Sequence, residues 1–326
     1  MIRLFRSPQP AVLFLIPLIA IVLWANRWSD LPVVQGNALT PLWNLFAPLF
    51  QAIPAWLRFV LMVFTVSGTA IYFSSVINKY EVLYKNSYLP ALFYVLLASS
   101  LPGFISVHPL HFATLLLIRV LDLSFTLGRT DKVAGRIFSA GFIISLALLL
   151  WFAWAPVALY FLVLLAFLRP PNVREWLIAL TGLGLPFFFL FVWWFPETLP
   201  QHWKELQQFF SDYRLQKAQT LPDPSFRFTV YAGLILLLSL IKLRGNYYKN
   251  IVRTRVYQQT VLVLLMLSLA MAFTSGAETE NGMFILLLPA STLFAYYFVS
   301  VRRRFWLYES MFWVLTGLIV WNHIAI

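Results

Sequence analysis

The chain contains no cysteine. That excludes disulfides, thiolate nucleophiles, cysteine-ligated zinc and iron–sulfur clusters, whichever side of a membrane the loops face. Charge is also scarce: Asp, Glu, Lys and Arg make up 11% of the 326 residues, against roughly 25% in a soluble globular chain. No Walker-type glycine loop, heptad run or repeat of fixed period is present, which removes the usual signatures of nucleotide hydrolysis, coiled coils and solenoids. What is abundant is apolar surface, with 61% hydrophobic residues. Eleven spans of about 20 residues each use about 220 residues, and the roughly 106 left are too few for a soluble domain. The expected fold is therefore all-α, a polytopic transmembrane helix bundle forming a single domain over 1–326.

Apolar runs lie at about 10 to 25, 56 to 77, 89 to 107, 110 to 127, 137 to 152, 156 to 168, 176 to 195, 227 to 243, 256 to 274, 282 to 300 and 305 to 325. This predicts about eleven spans. The pair 137–152 and 156–168 is joined by only three residues before Pro156 and reads either as two spans or as one re-entrant hairpin. Lys and Arg near span ends are retained in the cytoplasm, and the bias here is strong. With the N-terminus cytoplasmic, seventeen of the 24 cations fall on the cytoplasmic side, six on the other, and Arg119 lies within a span. The C-terminus is then periplasmic. The net charge of +12 becomes a topological signal, and no nucleic-acid partner is implied. The first span lacks a small-x-small cleavage pattern around Leu23 to Arg27 and reads as a retained anchor.

Two loops, 26–55 and 196–226, are long and fall on the external side. Pro41 to Phe50 is aromatic and proline-limited, and Trp203, Leu206, Phe209, Phe210 and Tyr213 recur at helical spacing after Pro200, so each loop is expected to carry an interfacial amphipathic helix. The cytoplasmic loop 242–255 and the run Arg302 to Arg304 form a basic face suited to lipid anchoring or to an acidic partner.

Ionisable residues inside spans are costly and point to function. Arg119 and Asp122, three apart on one helix face, can pair with each other or bind a substrate phosphate. His108 and His111 share the i,i+3 spacing of metal ligands, but only two further histidines exist, so interfacial histidines satisfied by water or headgroups are expected, with no metal and no cofactor. Among the external acids, Asp30 follows the first span directly and is the candidate catalytic base. Glu197, Glu205, Asp212, Asp223, Glu278 and Glu280 are the others. Gly182, Gly184 and Pro186, and Pro102 with Gly103, can kink or interrupt helices.

Three connections, Asn78 to Pro90, Arg136 to Ala147 and Arg169 to Gly182, resemble a domain-of-unknown-function family of polytopic inner-membrane proteins from Bacteroidota. That resemblance implies an inner membrane with periplasm outside, and brings no activity with it. Where that family usually has an aspartate before the alanine-glycine pair, Ser139 stands here, so no catalytic role is expected at that position. The layout of the two external loops is similar to that of the polyprenyl-phosphate-dependent C-superfamily glycosyltransferases, in which an acid of the first external loop acts as base or metal ligand. Asp30 is the only acid here to match it, and the acidic pair of many members is absent. The leading expectation is an envelope protein handling a lipid-linked or glycan substrate at the periplasmic face, with Asp30 as base and Arg119 and Asp122 as substrate contacts. A non-enzymatic subunit or scaffold of an envelope assembly, secretion or motility complex is the alternative, and a transporter the third. Membrane lipids and other envelope membrane proteins are the expected partners.

Overall fold

A computed structural model describes residues 1–7, 9–37, 39–127, 133–194, 199–212, 223–274, 279–300 and 305–325. Within them the regular structure is helical, apart from an isolated parallel bridge between Val33 and Val107. Fourteen α-helices follow in chain order: α1 Ile2–Arg6, α2 Leu15–Trp24, α3 Pro41–Ala52, α4 Ala55–Lys79, α5 Leu89–Ala98, α6 Pro109–Thr126, α7 Ala134–Leu150, α8 Pro156–Leu168, α9 Val173–Trp194, α10 Leu199–Asp212, α11 Asp223–Asn246, α12 Val252–Thr274, α13 Thr279–Val299 and α14 Phe305–Ala325. Proline opens α3, α6 and α8 and is second in α5, where its missing N–H costs no intrahelical bond. Among the described residues seven helices are long and apolar enough to cross a membrane, which makes this a multi-pass membrane protein. The apolar helices α5, α7 and α8 are shorter, at 10, 17 and 13 residues.

The contacts sort the helix ends into two groups. At one end the Tyr88 amide donates to the Phe5 carbonyl at 2.8 Å, Tyr84 to the Val299 carbonyl at 2.5 Å, Tyr257 to the Phe125 carbonyl at 3.2 Å and Arg169 to the Leu127 carbonyl at 3.2 Å. The N-terminal ammonium meets Glu309 there at 2.6 Å, and Arg3 lies over the Phe305 ring. This is the basic end. At the opposite end the 26–55 segment meets the stretch after α5, with the Val107 amide donating to the Pro32 carbonyl at 2.8 Å, and the His108 ring meets Trp151. The hairpin of α7 and α8 thus runs from the basic end to the opposite end and back.

Hydropathy reads the apolar run 89–107 as one span, but it is not one helix. Its helix stops at Ala98, and Pro102–Phe104 forms a 3-10 turn. All ten residues of α5 are buried, and so is most of 99–108. Irregular backbone at membrane depth is tolerated only where protein covers it and its polar groups find partners. Those partners come from other helices. Trp24 donates to the Ser99 hydroxyl at 2.8 Å, Asn322 to the Ser100 carbonyl at 2.7 Å, and a His323 ring nitrogen lies 2.6 Å from the Ser99 carbonyl. The Asn322 side-chain oxygen in turn accepts from Ser225 at 3.0 Å.

Gly182 and Pro186 do not break α9, which is continuous from Val173 to Trp194. Gly182 serves close packing instead: a Cβ on it would lie 2.5 Å from the Phe138 carbonyl oxygen, and one on Gly141 would lie 2.8 Å from that of Ala179. Between lipid-embedded helices, where burial gives no hydrophobic gain, such backbone approach is a main source of attraction. Ser145 adds a hydrogen bond to the Leu183 carbonyl. The basic loop 242–255 is mostly helical as well. α11 runs to Asn246, a 3-10 turn covers Tyr247–Lys249, and α12 starts at Val252. Both amphipathic segments of the long loops form helices, α3 and α10. α3 buries Trp43 and Ala47 and exposes Leu45 and Leu49. Arg302 to Arg304 and residues 213–222 lie outside the described residues.

Candidate functional site at the basic end

α4 ends at Lys79 because the chain turns there in a helix-terminating motif. The Glu81 amide donates to the Asn78 carbonyl and the Val82 amide to the Ile77 carbonyl, both at 3.1 Å, with Glu81 at φ 52° where glycine is usual. The turn delivers Lys79 and Tyr80 onto the last turns of α6. There the Lys79 ammonium lies 2.6 Å from one oxygen of Asp122, and Arg119 lies 2.7 Å from the other. The Tyr80 hydroxyl donates to the Asp122 carboxylate at 2.8 Å and lies 2.9 Å from its main-chain carbonyl.

Asp122 is 6% exposed, whereas the Lys79 and Arg119 side chains keep about half of their surface, 53% and 50%. The cluster therefore has a closed anion at its centre and two open cations at its rim. Its formal charge is one positive, two cations less one carboxylate. Behind it, Tyr80 packs edge-on against Phe125 and Tyr257. Burial pushes the Tyr80 phenol above its ordinary range; the Lys79 ammonium partly offsets this, and the Asp122 carboxylate adds to it. Tyr80 thus stays a hydrogen-bond donor at neutral pH.

The pairing of Arg119 with Asp122 follows from their spacing, but Lys79 and Tyr80 do not. They stand 43 and 42 residues from Asp122, and nothing in their local pattern marks them beyond a cation and an aromatic ring at a span end. Asp30 lies elsewhere. It is exposed, three residues before the Val33–Val107 bridge at the opposite end, and ten residues of α6, about 15 Å of helix, separate Pro109 from Arg119. Asp30 and Arg119 do not share a site.

The histidines are not interfacial. His108 and His111 are 5% and 1% exposed, enclosed by Trp24, Trp151, Phe104 and Phe284. The His108 Nδ1 accepts from the Leu110 amide and caps α6, and the His111 Nε2 lies 2.9 Å from the Phe104 carbonyl. Their work is to satisfy backbone around the irregular 99–108 segment. Among the described residues no group of three His, Asp or Glu side chains is placed to hold a metal ion. Of the other candidate acids, Glu205 meets His202 at 3.0 Å, while Glu197, Glu278 and the side chains of Asp212, Asp223 and Glu280 lie outside the described residues. An apolar groove of about 280 Å3 between α8 and α9, lined by Leu162, Phe167 and Trp176, also lies away from Asp30. No family model, curated protein or solved structure matches the chain.

Proposed function

We propose that this chain is an inner-membrane protein of the cell envelope that holds a phosphate-bearing lipid at the surface of α4 and α6, as a non-enzymatic subunit of an envelope assembly. The observation that carries this reading is the open rim of the Asp122 cluster. Lys79 has three N–H donors and Arg119 five; each gives one to Asp122, which leaves further donors on two half-exposed side chains. A lipid phosphate, whether of a bulk phospholipid or of a lipid-linked glycan carrier, matches that arrangement. Holding a ligand is favoured over converting one, because both Asp122 oxygens are engaged and Asp30 stands in the open at the far end. A transport pathway around Pro186 has less support, since α9 passes through that residue unbroken.

In this reading the chain crosses the membrane about eleven times, with the α7–α8 hairpin as two crossings, the N-terminus and basic end cytoplasmic and the C-terminus periplasmic. The inner-membrane setting rests on the resemblance to the Bacteroidota family. Because the chain has no cysteine, single-cysteine labelling reads orientation cleanly. In intact cells an impermeant maleimide is expected to label Gln35→Cys and to reach Arg174→Cys only after permeabilisation; the reverse pattern would overturn the orientation.

Lipid retention tests the site. Native mass spectrometry of the protein purified with its lipids is expected to show a bound phosphate-bearing lipid in the wild type and in Asp122→Asn, which keeps both cations. The neutral triple variant Lys79→Gln, Arg119→Gln, Asp122→Asn should lose it while remaining folded. Equal retention in the triple variant rejects the site.

A further inference from the structure

A second cavity at the basic end, distinct from the Asp122 cluster, has a volume of about 510 Å3, within the roughly 300–1,000 Å3 typical of small-molecule sites. Two separate pieces of chain build it, the connection after α4 and the turn that opens α12. The first contributes Glu81, Leu83, Tyr84, Lys85 and Asn86, and the second Lys249, Asn250, Ile251 and Thr254.

The walls are tied together. Gln258 donates to the Val82 carbonyl at 3.0 Å, Asn250 to Gln258 at 3.1 Å, and the buried Thr254 hydroxyl to the Glu81 carbonyl at 3.3 Å. The Tyr84 hydroxyl is anchored on the Val299 carbonyl, and its ring stands edge-on to Tyr296. The cavity is therefore a preformed space between fixed walls, not a gap between loose loops.

Its chemistry is that of an anion site with an apolar wall. Lys85 and Lys249 approach from different segments, each exposed, and Lys249 reaches only a long contact of 3.5 Å to Asn246. Asn86 and Asn250 add amide groups, Leu83, Tyr84 and Ile251 add apolar surface, and Glu81 is the single acid in the lining. The first turn of α12 carries no acid and instead holds Arg253 and Arg255, so the potential around Asn250 and Ile251 is positive. Two ammonium groups on one rim suit a phosphate, and the rest of the volume suits an organic body attached to it.

We infer that this cavity binds a phosphate-bearing ligand of small-molecule size, through Lys85 and Lys249 for the phosphate and Tyr84 and Ile251 for the organic part. Soluble organic phosphates and a lipid headgroup reaching in from the membrane share that chemistry. The inference does not depend on the Lys79 and Arg119 site.

Pyrophosphate is the probe, titrated by calorimetry into the full chain in nanodiscs of phosphatidylcholine alone. Saturable binding is expected, weakening as salt rises. Lys85→Gln with Lys249→Gln should weaken it at least about tenfold, and Glu81→Asn, which keeps the left-handed turn and removes the opposing charge, should tighten it about threefold. The tightening protects the test against misfolding, because a damaged protein would not gain affinity. Repeating the titration in discs of equal parts phosphatidylcholine and phosphatidylglycerol separates the sources. Weaker pyrophosphate binding there, absent in the double lysine variant, assigns the cavity to a headgroup; unchanged binding assigns it to a soluble phosphate. The inference is overturned if pyrophosphate does not bind in neutral discs, or binds with an affinity that neither the double variant nor Glu81→Asn moves.

Discussion

Asp122→Asn is expected to destabilise the folded protein by about 2 kcal/mol, the order of losing a buried charged acceptor whose two cations keep about half of their surface. The carboxylate is buried and is the shared acceptor for Lys79, Arg119 and Tyr80. An asparagine keeps the shape but offers one acceptor and turns an N–H toward a cation. Lys79 and Arg119 then lose their counter-charge, and Arg119 is deep enough in α6 that it must reach along the helix to find polar surroundings. The triple apolar variant Lys79→Leu, Arg119→Leu, Asp122→Leu is expected to recover much of the loss, since no charge is then left without its partner. Thermal unfolding in one detergent reads both. A single variant as stable as the wild type, or a triple variant worse than the single one, would show that the cluster does not hold α4 to α6.

The second large effect is expected at the other end of the bundle. Asn322 is fully buried on α14 and joins three elements, donating to Ser100 after α5 and accepting from Ser225 on α11. Asn322→Leu keeps the branched side-chain pattern but leaves the Ser100 carbonyl and the Ser225 hydroxyl without these partners. At about 1–3 kcal/mol for each of the two buried orphans, the expected loss is about 2–6 kcal/mol. Ser225→Ala removes one bond and keeps the bond to Ser100, so a loss of about 1 kcal/mol is expected. Hydrogen exchange should localise the effect, with amides of 99–108 losing protection in Asn322→Leu before those of α4 do. Unchanged protection there would mean that the irregular segment is held by other contacts, such as those of Trp24 and His323.

Both sites show how legible the chain is. Arg119 and Asp122 could be paired from spacing because a helix brings i and i+3 together whatever surrounds it. Lys79 and Tyr80 could not be added, because their approach depends on how α4 packs on α6 and on the turn at Glu81. His108 and His111 illustrate the reverse. Their spacing fits metal ligation and interfacial exposure equally well, and only the surrounding rings of Trp24, Trp151 and Phe284 show them to be buried supports for backbone. Hydropathy read 89–107 as one span because Leu101, Phe104, Ile105 and Val107 are as apolar as the helix before them. Hydropathy measures transfer from water and carries no information on backbone bonding. Pro102 and Gly103 were the local sign that the helix stops.

The amino-acid sequence by itself determined that this is a helical membrane protein, which segments are apolar, and that its cations are divided unequally among the connections. Those properties are sums over local residues, and folding does not alter them. Only the tertiary structure decided which charges share a site, that Asp30 stands apart from Arg119, that α5 is a buried half-length helix, and that a polar cavity opens beside Lys85 and Lys249. Each of these depends on side chains far apart in the chain meeting in one place, and that meeting is set by helix packing.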